Sequence, residues 1–206
     1  MAATSPRTAL LVIDIQKGFN GPSHTGRSTP DFEANVTKLL AAFRATENTH
    51  VIHVCHHSLS EAGFLHPARP GAQFMDFAAP LPGELVKSKN VNSAFVGTDL
   101  ESTIRELAIQ RLVVVGLTTG HCVSTSVRMA SNLRVVDHPH GGVASGHNPS
   151  GEIILVSDAT AMYDWTSAGK TYDGETLHTM NLATLDNEFC LVRKTEEVLQ
   201  LLNGAT

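Results

Sequence analysis

Leu112-Val-Val-Val-Gly116 places apolar or small residues at consecutive positions, and a segment of helical character opens about six residues later. A half-buried strand alternates apolar and polar residues. A run without alternation has to be covered on both faces, as parallel strands between helix layers are. Thr8-Ala-Leu-Leu-Val-Ile-Asp14 shows the same signature closed by a carboxylate, and Glu152-Ile-Ile-Leu-Val-Ser-Asp158 repeats it. Shorter runs at residues 51–55, 84–87 and 188–192 read as further strands.

Helical patterns fall between these runs. Residues 31–47 carry Phe32, Val36, Leu39, Leu40 and Phe43 at helical spacing, which predicts an amphipathic helix. Thr98-Asp-Leu-Glu101 has the form of a capping box, followed by an apolar stripe at Leu100, Ile104, Leu107 and Ala108. The segment after Cys122 reads as helix to about Leu133, residues 173–187 as another helix, and residues 195–202 as a closing helix with Thr195 as cap. Strands alternating with helices predict a three-layer α/β arrangement. With 206 residues, 42% of them hydrophobic, the chain is expected to form one domain over residues 1–206.

Composition removes several function classes. The net charge of −5 offers no basic face for nucleic acid or an acidic membrane surface. No stretch approaches the ~18 apolar residues of a membrane span, and the short polar start with Asp14 in the first apolar run does not read as a secretory signal. Three widely spaced cysteines, Cys55, Cys122 and Cys190, suggest neither a disulfide framework nor a zinc ribbon, and a reducing, cytoplasmic setting is the expectation. Two long connections stand out. Residues 56–83 are rich in His, Gly, Ala and Pro, and a connection of that length is usually a lid or a pocket wall. Residues 134–151 are dense in breakers and read as a loop.

Three chemically capable groups fall at the C-terminal ends of expected strands: Asp14, Lys89 and Cys122. In a parallel sheet those ends share one edge, where such folds bind ligands. A cysteine entering a helix meets unpaired N–H groups and the positive end of the dipole, which can bring a thiol from ~8.5 to roughly 3.5–7.5. The bland alternative is that Cys122 is a small buried apolar residue. Asp14 could accept the thiol proton, and an ammonium nearby would favour both anions. Asp158 also ends a run, but Ser157-Asp-Ala-Thr160 reads better as a turn or helix cap.

Asp14 with Gln16 and Phe19, Lys89-Asn-Val-Asn-Ser93-Ala-Phe95-Val-Gly-Thr98-Asp-Leu, and Gly116-Leu-Thr-Thr-Gly-His-Cys122-Val resemble the isochorismatase-like cysteine hydrolase superfamily, in the expected order over nearly the whole chain. Ser157-Asp-Ala-Thr160 and Tyr172-Asp-Gly-Glu-Thr-Leu-His178 fit it too. The resemblance implies a three-layer αβα, Rossmann-like fold with a central six-stranded, mostly parallel sheet. It implies an Asp–Lys–Cys triad in which Asp14 is the general base, Lys89 the charge partner and Cys122 the nucleophile. It also implies a cis peptide at Leu117–Thr118, an oxyanion hole from the N–H groups of Thr118 and Cys122, and a dimer or tetramer.

The activity this implies is hydrolysis of an amide or related C–N bond in a small molecule through a thioester. The alternative is isochorismatase-type vinyl ether hydrolysis with Asp14 as acid, and a non-catalytic binding role is a third. Candidate substrate contacts are Gln16, Phe19, His57, His121, Tyr163 and Trp165. Eleven histidines invite a metal reading around His53, His56, His57 and His66. Strand alternation sends His53 and His56 to opposite faces, and Val54-Cys55-His56-His57-Ser58 lacks the Asp-x-His motif of the metal-binding nicotinamidases, so neither metal nor cofactor is expected.

Overall fold

The computed structural model describes residues 6–136 and 151–204. In chain order the elements are β1 (Thr8–Ile13), α1 (Phe32–Ala45), β2 (Thr49–His56), β3 (Leu85–Lys89), α2 (Leu100–Glu106), β4 (Arg111–Leu117) and α3 (Ser124–Leu133). There follow β5 (Glu152–Ala161), β6 (Trp165–Ser167), β7 (Lys170–Tyr172), α4 (Gly174–Ala183), β8 (Leu191–Arg193) and α5 (Thr195–Leu202). Six strands form one sheet in the order β3-β2-β1-β4-β5-β8, and every neighbouring pair is parallel.

The unalternating runs are explained by two cores, one on each face of that sheet. Leu10 and Val12 of β1 and Val113 and Val115 of β4 pack with Val36, Leu39 and Phe43 of α1 and Val198 of α5. Ala9, Leu11 and Ile13, with Leu112 and Val114, pack against Leu100 and Ile104 of α2 and Val127 of α3. Successive side chains on one strand therefore enter opposite cores, and both faces demand apolar residues.

The strand order sets the position of the site. The chain lays down β1, β2 and β3 in one direction, then returns to place β4 on the other side of β1. A crevice opens at such a reversal, outside the carboxyl ends of the two central strands. Gly116 is required there. Its φ of +130° suits glycine, and a Cβ would lie 2.0 Å from the Ile13 carbonyl oxygen.

Three local expectations are corrected. Thr98 does not close a capping box with Glu101: Asp99 is the N-cap of α2 and makes no side-chain cap bond, while the Thr98 hydroxyl donates to the Ala94 carbonyl at 2.6 Å and accepts from the Leu100 N–H at 3.3 Å. The fifth strand does not stop at Asp158. It continues to Ala161 across a register shift opposite Val114 and Gly116, and the displaced Asp158 caps α5 by accepting from both the N–H and the hydroxyl of Thr195 at 2.8 Å. The N-cap is Lys194, and the capping side chains are Asp158 and Glu197, which accepts from the Lys194 N–H at 2.7 Å, rather than Thr195. The hairpin β6–β7 was not expected from the sequence. The loop expected at 134–151 lies mostly outside the described residues.

The connection from 57 to 84 folds back over the sheet edge. Backbone bonds from Lys17 N–H to the Gln73 carbonyl (2.8 Å) and from Met75 N–H to the Ile15 carbonyl (3.0 Å) dock it beside the end of β1. Its far end is fixed by Glu84, which accepts from Arg44 Nε at 2.7 Å and the Leu81 N–H at 2.8 Å and meets His53 Nε2 at 2.9 Å. Burial opposes ionisation of Glu84, but Arg44, the Leu81 N–H and His53 outweigh it and hold the carboxyl down at about 2. A depressed carboxyl stabilises the fold above its ordinary value of 4.5, and that contribution is lost as pH falls toward about 2. Glu84→Gln is expected to remove roughly 1–3 kcal/mol at neutral pH and to flatten the acid limb of a Tm-versus-pH series. An unchanged acid limb would contradict this anchoring.

Candidate active site

Three strand ends deliver the central groups. Asp14 follows β1 in a left-handed conformation, φ 52°, which aspartate tolerates. Lys89 is the last residue of β3. Cys122 sits in a single π-helical turn, Thr119–Val123, between β4 and α3, and the Leu117–Thr118 peptide before it is cis.

Lys89 Nζ lies 2.6 Å from Asp14 Oδ2, 3.3 Å from Cys122 Sγ and 3.3 Å from His56 Nδ1. An ammonium has three N–H donors and no acceptor, so these contacts account for all three. Asp14 is fully buried, and Lys89 and Cys122 are nearly so. Asp14 Oδ1 is a buried oxygen with no hydrogen-bond donor among the described residues. Asp14, His56 and Cys122 offer metal-ligand atoms within 4.8 Å of one another, but Lys89 bonds to all three, so an ammonium stands where a cation would bind. His53, on the opposite face, points to Glu84.

The electrostatics reverse one expectation. Burial raises the Asp14 carboxyl, with Lys89 only partly offsetting it. Burial and then the Asp14 charge push the Cys122 thiol up to about 12, against the pull of Lys89. The helix entrance was expected to favour a thiolate, but two anions cannot share this dry site with a single ammonium. Burial thus favours a neutral thiol at Cys122, beside the contact between Asp14 and Lys89.

Asp14 and Cys122 open onto a cavity of about 450 Å³. Of the six substrate contacts expected from the sequence, Phe19, His121, Tyr163 and Trp165 line it. Gln16 and His57 do not. Gln16 is fully buried and is occupied as a brace, accepting from the His56 N–H at 2.8 Å and donating to the Ala72 carbonyl at 2.8 Å. His57 turns to Cys55 Sγ at 3.6 Å and borders a separate cavity of about 340 Å³. Thr118 also lines the main cavity, and its N–H has no acceptor among the described residues.

Sequence reading missed His24, His56 and Phe64 in the wall. His24 packs edge-on against Phe19, Phe64 and Tyr163 with ring centroids 5.2, 4.9 and 5.1 Å away, closing an aromatic box. The signal for Phe64 was the length of the 57–84 connection. His24, inside a Gly/Pro/Ser-rich loop, gave none.

The chain matches the family model for the isochorismatase domain over residues 8–197. The uncharacterized isochorismatase family protein YrdC of Bacillus subtilis is 33% identical over 194 residues, 94% of this chain and 95% of that one. N-carbamoylsarcosine amidase of an Arthrobacter species is 27% identical over 218 residues, covering 96% of this chain and 72% of that enzyme. An isochorismatase-family crystal structure from Chromobacterium violaceum superposes with a TM-score of 0.85 at 33% identity, over 99% of this chain and 97% of the other. A reversed strand order that places a buried carboxylate, ammonium and thiol under one cavity, on a chain similar to these over nearly its whole length, belongs to a hydrolase of the isochorismatase family.

Proposed function

We propose that the protein is a cysteine hydrolase that cleaves an amide or related C–N bond of a small molecule. The observation that carries the reading is the reach of Lys89 Nζ to both Asp14 Oδ2 and Cys122 Sγ at the cavity floor. Similarity to an amidase over 96% of the chain supports the choice of bond.

Cys122 Sγ attacks the substrate carbonyl while its proton passes to Asp14. Lys89 keeps the carboxylate oriented and offsets the charge that moves. The N–H groups of Thr118 and Cys122 receive the developing oxyanion, a contribution of roughly 2.7–4 kcal/mol per donor in comparable sites. Asp14 returns the proton to the departing amine and leaves a thioester. A water molecule, deprotonated by Asp14, then releases the acid and restores the thiol. No metal or cofactor enters these steps.

A screen of small amides read by ammonia or amine release, run beside Cys122→Ala, tests the reading. Turnover is expected in the wild type and not in the variant, and full activity in the variant would end it. The raised carboxyl of Asp14 also favours a second reading, acid-catalysed opening of a vinyl ether. Pyruvate release from isochorismate that survives Cys122→Ala would select it.

A further inference from the structure

The walls of the cavity are unusual in their charge. The chain has 15 lysines and arginines, all among the described residues, and none lines the cavity. Lys89 lies beneath the floor with its three donors engaged. Arg27, beside Tyr163, is held by both oxygens of Glu33 at 2.6 and 2.9 Å. The three histidines of the wall, His24, His56 and His121, are each shifted toward the neutral form by burial. His56 has a fixed tautomer as well: Lys89 can only donate, so Nδ1 is the lone-pair nitrogen and Nε2 carries the hydrogen.

Among the described residues, Asp164 is the one carboxylate of the wall outside the triad. Its position is built in. Its backbone N–H donates to the Thr25 carbonyl at 3.0 Å, and Oδ1 accepts from the Gly174 N–H at 2.9 Å, at the start of α4. Gly26 passes so close that a Cβ there would fall 2.0 Å from Oδ1. The neighbouring Trp165 is half exposed and tilts over His121 at 5.0 Å, and Asp164 beside it is partly exposed in the cavity wall. Among the described residues, an approaching ligand meets aromatic faces, one fixed carboxylate and no free cation.

We propose that this site selects uncharged, aromatic or flat amides over amides bearing a carboxylate, and that Asp164 is the residue enforcing the choice. The proposal rests on the amide-hydrolase reading for the word amide, but the charge selection stands on the cavity wall itself. Flat rings find stacking partners in Phe19, Tyr163 and Trp165. An anion has to enter past a like charge in a partly desolvated setting, and the Lys89 ammonium beneath the floor is already paired.

The test uses two alkylating reagents of equal size and opposite charge character, iodoacetamide (neutral) and iodoacetate (anionic). The rate of each at Cys122, followed by mass spectrometry of the peptide carrying it, is divided by its rate with free cysteine at the same pH. The normalised iodoacetamide rate is expected to exceed the normalised iodoacetate rate on the order of tenfold. Salt should narrow the gap, and Asp164→Asn, which keeps the acceptor for the Gly174 N–H, should close most of it. Equal normalised rates in the wild type, or a gap that salt and Asp164→Asn both leave untouched, would overturn the proposal while leaving the hydrolase reading intact. A Cys122 that neither reagent reaches would instead sink that reading, and the proposal with it.

Discussion

Asp14→Asn is expected to lower kcat/KM by roughly 10²–10⁴, the usual worth of a positioned proton acceptor, with the fold retained. Asparagine is the informative replacement because residue 14 has φ 52°, a conformation that asparagine adopts readily and alanine does not. The amide fills the same space and still meets Lys89, but it cannot take a proton from Cys122. Burial raises the Asp14 carboxyl above its ordinary 3.8, and only its ionised form is a base. Wild-type kcat/KM should therefore climb as pH rises through that raised value, and the variant should lose this limb. Near wild-type activity in Asp14→Asn would show that some other group accepts the proton.

Lys89→Met is expected to affect stability as well as rate. Removing one member of a buried ion pair typically costs about 3–5 kcal/mol, because the other charge is left without a partner. Here the loss should fall toward the lower end, since burial already favours the neutral form of Asp14 and the carboxyl can take up a proton. That same proton disables it as a base, so turnover should be lost along with several degrees of Tm. The double variant Asp14→Asn, Lys89→Met leaves no buried charge. It should recover Tm relative to Lys89→Met alone while remaining inactive. Equal Tm values for the single and double variants would mean that the pair is not coupled as its 2.6 Å contact implies.

The parts of this account that were legible in the sequence are those fixed by burial. The runs at 8–14, 112–116 and 152–158 have to be covered on both faces, and that alone places Asp14 and Cys122 at the ends of parallel strands on one edge. Helix α1 was equally plain, because its five large apolar residues fall on one stripe. Features set by contacts distant along the chain were not legible. Strands β6 and β7 are exposed throughout, so they leave no alternation to read. Gln16 looked like a pocket residue because it neighbours Asp14, yet its amide is consumed bracing His56 and Ala72. Thr98 and Thr195 carry capping chemistry, but Asp158 reaches Thr195 across the bulge of β5. The thiol expectation failed for a physical reason: local helix geometry favours the thiolate, while burial beside a carboxylate opposes it and wins.

The most direct measurement is the intact mass of the protein after mixing with an activated ester or a slowly turned-over amide. The wild type is expected to gain the mass of one acyl group, localised to the peptide containing Cys122. Cys122→Ala should gain none, and Asp14→Asn should accumulate acyl groups far more slowly. Turnover by the wild type with no adduct on Cys122, or an equal adduct on Cys122→Ala, would contradict a nucleophilic role for this sulfur.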